Sequence, residues 1–134
     1  MSDEDTVEKH LSIIHHALRA ARRRRVIQLM AERENKAISV RFLASQITAW
    51  EHDLPVEQAT GEPYRNAYNA LSQTHLPTLT DAGIIIYDSQ RQVVSPGKNL
   101  QLAVLLVATN RPTVDILYEP DAQDEDESTE SVNG

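Results

Sequence analysis

From about Val7 to Glu34 the chain has no glycine or proline, and Leu11, Ile14, Leu18, Ala21, Leu29 and Met30 recur at helical spacing. That stretch predicts one long helix or two shorter ones. The connector Asn35-Lys36-Ala37-Ile38 leads to Ser39, a good N-cap, and Val40, Leu43, Ala44, Ile47 and Trp50 then mark the apolar face of a further helix. The polar stretch from His52 to Pro63, with Pro55, Gly61 and Pro63, reads as a long connection. A helix from Tyr64 to Ala82 follows, with Tyr68, Leu71, His75, Leu76 and Leu79 on its inner side and Gly83 as the left-handed residue that ends it. Pro77 removes one backbone hydrogen bond inside that helix and predicts a kink near Gln73 or a division in two. Ile84 to Tyr87 is short and β-branched, the tip Asp88 to Gln92 is polar, and Val93-Val94 returns, which predicts a two-stranded hairpin. Pro96-Gly97 closes it, and Lys98 to Thr109 is a last, mostly apolar helix before Asn110-Arg111-Pro112.

A chain of 134 residues with 40% apolar and 25% charged residues is one ordinary domain with tails. The absence of cysteine removes disulfide frameworks, thiolate nucleophiles and thiolate zinc sites together. The longest apolar run, Leu102 to Ala108, falls far short of the roughly 20 residues a bilayer-spanning helix needs. With an acidic amino terminus unlike a secretory signal, the expected location is the cytoplasm, without membrane contact.

The net charge of −7, from 20 acids and 13 bases, argues against a nucleic-acid partner only until its distribution is considered. Residues 1–8 hold four acids and no base, and residues 119–134 hold seven acids and no base. The stretch 9–118 therefore carries all 13 bases against nine acids, a basic body between acidic ends. Only three of those bases are lysines, and the single Phe and single Trp leave an aliphatic core, a bias that fits a salty cytoplasm. At about 1 M salt the Debye length is about 3 Å, so recognition of phosphate there relies on contact hydrogen bonds. Residues 119–134 lack the apolar content to offset the entropy of ordering and are expected to be disordered.

The expected fold is mainly α with a small β-hairpin, arranged as a winged helix-turn-helix with an additional C-terminal helix. Its parts are an acidic N-terminal extension (1–8), the winged-helix domain (9–96), a C-terminal helix for dimerisation (97–112) and an acidic tail (113–134). His75-Leu76, Leu79, Ala82-Gly83-Ile84 and Tyr87 resemble the stretch leading from recognition helix to wing in ArsR- and MarR-like winged-helix regulators. The chain is more similar still to small haloarchaeal winged-helix domains of unassigned function. It shares with them Arg22-Arg23-Arg24-Arg25-Val26-Ile27, Ala49-Trp50-Glu51 and Gln73-Thr74-His75-Leu76-Pro77-Thr78-Leu79. The likeness covers about residues 11–96. It implies a recognition helix in the major groove of double-stranded DNA and a hairpin reaching the flanking backbone.

With the apolar residues of the third helix inward, Arg65, Asn66, Asn69, Ser72, Gln73 and Thr74 are presented outward, donors and acceptors suited to base edges. A solvated polar surface is the plainer account of the same residues. Arg91, between Gln90 and Gln92 at the hairpin tip, is placed to enter a minor groove or hold a phosphate. Arg22 to Arg25 span about 300° of a helix and cannot form one face, so at least one must lie along the core side. Salt bridges to Glu32, Glu51 or the acidic tails compete with phosphate contacts from Arg23 and Arg24.

Leu100, Leu102, Val104, Leu105 and Val107 belong to a helix apolar nearly all round, which suits a homodimer interface or packing on the first helix of the same chain. His15-His16 point apart and lack a completing ligand set, so no metal or other cofactor is expected. Neither a phosphate loop nor a nucleophile constellation suggests an enzyme. The reading is a homodimeric, sequence-specific DNA-binding transcriptional regulator with no identifiable effector ligand. A winged-helix protein-interaction module and a nonspecific nucleoid-coating protein are the alternatives.

Overall fold

The computed structural model describes residues 3–34 and 36–109. The first helical stretch divides into α1 (Asp3–Ala17) and α2 (Ala21–Glu32), separated where Ala20 is extended. The arginine run makes this break tolerable. Arg23 Nε donates to Ala17 O at 2.8 Å, and Arg24 Nη1 donates to Leu18 O at 2.7 Å and Arg19 O at 3.0 Å. These guanidinium groups satisfy carbonyls left over at the end of α1, where positive charge is also favoured by the helix dipole. Residues 3–8, read above as an extension, are already helical.

Strand β1 (Ile38–Ser39) is an element the sequence pattern did not reveal, because two residues show no alternation. Ser39 then caps α3 (Val40–His52), its Oγ accepting from the Phe42 amide at 3.1 Å. Val40, Leu43, Ala44 and Ile47 are buried as the spacing requires, but Trp50 is not on the inner face: it is 49% exposed. It lies at the edge of the apolar stripe near the end of α3, with the Arg25 guanidinium 5.8 Å from its ring centroid.

A short connection, with a 3₁₀ turn at Val56–Gln58, leads to α4 (Gly61–Ala70), which starts three residues before the expected Tyr64. A π-helical turn (Leu71–His75) and α5 (Leu76–Asp81) continue the same helical run. This is how the expected kink at Gln73 is realised. Pro77 cannot donate to the preceding turn, and the Leu76 amide reaches back five residues to Leu71 O. Leu71 and Leu76, five apart, both face the core as a result. The run ends in a Schellman arrangement, with Gly83 (φ +73°) donating to Thr80 O and Ile84 N to Leu79 O.

β2 (Ile85–Asp88) and β3 (Val93–Pro96) form the hairpin, and β1 joins it as a third antiparallel strand in the order β1-β3-β2. Ile38 pairs with Val94, and Tyr87 pairs with Val94 from the other side. From α2 onward the order helix, strand, helix, helix, hairpin is a winged helix-turn-helix, mainly α, to which α6 (Leu100–Thr109) is added. One core is shared by all the helices and the sheet. In α6, Leu100, Ala103 and Val107 are buried in the chain's own core, while Leu102 and Leu105 are exposed. Leu100 and Val107 are therefore withdrawn from the expected dimer surface, because they pack within the chain and α6 lies against α2. Asn110 to Pro112 and the acidic tail lie outside the described residues.

The start of α6 is bolted to the end of α5. Gly97 N donates to Ile84 O, Asn99 N to Gly83 O and Asn99 Nδ2 to Ala82 O. A Cβ on Gly97 would lie 2.5 Å from Gly83 O, a backbone atom that cannot yield. At Gly61 (φ +73°) a Cβ would meet nothing within 4 Å, so only backbone strain opposes substitution there. Gly97→Ala is expected to lower the unfolding free energy by about 2–3 kcal/mol and Gly61→Ala by about 1 kcal/mol, measured by urea denaturation.

Candidate nucleic-acid interface

The outward side of the α4–α5 run carries the polar residues that the phase of its apolar positions implied. Arg65, Asn66, Asn69, Gln73 and Thr74 are exposed, and Ser72 is half-buried. Ser72 Oγ points to the hairpin, 3.4 Å from Gln92 Oε1. The π turn lies within this surface, so the residues after Leu71 do not continue the pitch of those before it.

Gln92 ties the hairpin to the helix. Its Oε1 accepts from Tyr68 Oη at 2.6 Å, and its Nε2 donates to Tyr87 Oη at 2.9 Å and Ser89 O at 2.7 Å. Its own carbonyl accepts the Val40 amide at 3.0 Å. The residue adopts φ +55°, costly for a side chain other than glycine and sustained here by these bonds. At the tip, Asp88 Oδ1 accepts from the amides of Gln90 and Arg91, each at 3.1 Å. The one acid of the tip thus orders the turn that presents the exposed Arg91.

The bases divide into two groups. Arg22 is bidentate to Glu51 at 2.6 and 2.8 Å, and that bond raises its pKa above the usual guanidinium value. Arg25 lies 3.7 Å from Glu32, and Arg33 stacks 4.7 Å over Phe42. The salt bridges expected for the arginine run are thus present for two of its members. In contrast, the side chains of Arg41, Arg65, Arg91 and Lys98 have no hydrogen bond or ion pair among the described residues. Three of these four are linked through one junction. Gln92 adjoins Arg91, its carbonyl holds the amide next to Arg41, and its side chain holds Tyr68, one turn from Arg65. Sequence reasoning missed Arg41, since nothing places the start of α3 beside the hairpin until β1 is known.

Arg23 does not belong to this surface. It is only 8% exposed, with Nε on Ala17 O, Nη2 3.4 Å from His16 O and Nη1 3.2 Å from His75 Nδ1. The reason is its phase on α2, which points it between α1 and the π turn. Arg24 is half-buried on the carbonyls of Leu18 and Arg19. Because a guanidinium only donates, His75 Nδ1 accepts and its proton sits on Nε2. Burial, reinforced by the charges of Arg23 and Arg22, pushes the His75 pKa down to about 4. His75 is thus a packed residue, as its inward position suggested.

The family model for a domain of unknown function, DUF7344, matches residues 15–95. The chain belongs to the DUF7344 family. In this DUF7344 domain the matched span runs from the end of α1 through β3 and so contains the whole winged unit and the arginine cluster. No curated protein and no solved structure matches the chain. Among the described residues no helix is long and apolar enough to cross a membrane, and no three His, Asp or Glu side chains gather as a metal site.

The buried imidazole makes stability pH-dependent. Unfolded His75 titrates near 6.5 and folded His75 near 4, so between those values the unfolded chain binds more protons. Stability from this group is complete above about pH 6.5 and falls by up to about 3 kcal/mol as pH drops to 4. His75→Asn keeps an acceptor for Arg23 without a titrating ring. It is expected to flatten the wild-type decline between pH 6.5 and 4 in chemical denaturation.

Proposed function

We propose that the domain binds double-stranded DNA sequence-specifically as a homodimeric, cytoplasmic transcriptional regulator. The observation that carries this reading is that Gln92 ties together the three segments bearing Arg41, Arg65 and Arg91, whose side chains have no partner among the described residues. By contrast Arg22, Arg23, Arg24, Arg25 and Arg33 are occupied by carboxylates, carbonyls or rings. Three guanidinium groups without counter-charges among the described residues suit a phosphate backbone. In this reading the α4–α5 run enters the major groove. Arg65, Asn66, Asn69 and Gln73 reach base edges, Ser72 and Thr74 flank them, and Arg41 and Arg91 hold phosphates on either side. Two copies related by a two-fold axis would read half-sites about 34 Å apart.

A protein-interaction role is the second reading, favoured by Ile86, which is 61% exposed on the edge strand of the hairpin. Recovery of bound DNA across the genome at physiological salt separates the readings. Enrichment of a few promoter sites supports regulation, uniform recovery supports a nucleoid-coating protein, and no recovery supports the interaction module.

Arg65→Ala and Gln73→Ala are expected to weaken binding to a recovered site by about 1–3 kcal/mol, with an unchanged melting temperature. Arg41→Ala and Arg91→Ala should weaken binding to all duplexes alike and reduce the slope of log affinity against log salt by about 1 each. Fluorescence anisotropy across a salt series measures both.

A further inference from the structure

The helical run that carries the outward polar face changes its winding within that face. Leu71–His75 is a π turn between α4 and α5, and a π turn sets one additional residue into an α-helix. Such turns are rare and gather at functional sites. The core does not require the additional residue here. Leu71 and Leu76 are fully buried and His75 turns inward to Arg23, so that His75 and Leu76 follow Leu71 by four and five positions. With one residue fewer the three would stand at i, i+3 and i+4, the usual spacing of a single helix face, and could meet the same neighbours.

What the additional residue alters is the outer side. Between the two buried leucines Ser72 turns to Gln92, His75 turns to Arg23, and Gln73 and Thr74 are exposed side by side. An ordinary α turn would leave room for only one outward side chain between them. Neither the Gln73 amide nor the Thr74 hydroxyl has a hydrogen bond among the described residues, so both are free for a ligand. The π form is also fastened from three directions. Arg23, anchored on Ala17 O at 2.8 Å, reaches His75 Nδ1 at 3.2 Å from behind. Pro77 supplies no amide to the turn, and Thr78 Oγ1 donates to Thr74 O at 2.8 Å.

We propose that this π turn is the specificity-determining element of the DNA-reading face, widening it so that Gln73 and Thr74 meet neighbouring bases together. The inference rests on the DNA-binding reading above and names what that surface selects. The Gln73 amide pairs with adenine N6 and N7, and Thr74 offers its methyl group to the 5-methyl of thymine, so the turn reads A·T pairs in the major groove. Arg65, Arg41 and Arg91 lie outside the turn and supply the remaining base and phosphate contacts whether or not the turn is present.

The test uses the full chain and the duplex that it selects from a randomised pool, with an unrelated duplex as the control. Deletion of Thr74 is expected to leave the melting temperature unchanged or higher and to weaken binding to the selected duplex at least about tenfold. Affinity for the unrelated duplex, held by phosphate contacts alone, stays the same. Thr74→Ala keeps the turn and the position of Gln73, and is expected to lose less than the deletion does. The selected site is expected to hold an A·T pair whose preference disappears in Gln73→Ala. A folded deletion variant with undiminished selectivity, or a Thr74→Ala chain that loses as much, overturns the proposal. So does a deletion variant that melts well below the wild type, because the turn would then be a requirement of the core. A wild type that binds duplexes without selecting any sequence overturns the proposal and leaves nonspecific binding, whereas one that binds no duplex overturns the reading above.

Discussion

The amide of Gln92 is the joint on which the candidate surface depends. A hairpin of two four-residue strands is not stable or oriented by itself. Here its position is set by a side chain whose oxygen and nitrogen are both used, toward Tyr68 on α4 and toward Tyr87 and Ser89 within the hairpin. The carbonyl of the same residue holds the first amide of α3. Three elements distant in sequence meet at one residue, and its left-handed backbone is the strain that this meeting requires. Any face formed jointly by α4, the hairpin and the start of α3 keeps its geometry only while that residue keeps its partners.

Much of this was legible along the chain, and the reasons are local. Ser39 announced a helix start because a hydroxyl at that point can accept from an orphan amide, and it does so from Phe42. Gly83 announced a helix end because a positive φ was needed there. Pro77 announced a disturbance one turn earlier, realised as a π turn rather than a break. The outward residues of α4 followed from the inward ones, since fixing one side of a helix fixes the other. What escaped was non-local. β1 exists because β3 lies beside it, and two residues cannot advertise that pairing. Trp50 has roughly the spacing of a core residue but falls at the edge of the apolar stripe, where its ring stays half exposed beside Arg25.

The arginine run shows most clearly why residue type does not assign a role. Four neighbours with one chemistry meet a carboxylate (Arg22), buried helix-end carbonyls (Arg23), turn carbonyls (Arg24), and a carboxylate with an indole (Arg25). Lysine could not substitute for Arg23, whose planar fork reaches Ala17, His16 and His75 together. The preference for arginine over lysine in this chain thus has a structural component, in addition to any suitability for salty surroundings where only contact-range bonds persist.

The π turn carries a consequence for how related chains can differ in length. A π turn holds one more residue than the α turn it replaces, and Leu71–His75 is the only such stretch among the described residues. Removing a single residue there would restore ordinary α pitch while leaving α4 and α5 each intact. The same deletion elsewhere in the run would rotate one half about its axis by roughly 100°. The turn is therefore a one-residue slack point, where the chain can be shortened with the least disturbance to the packing on either side.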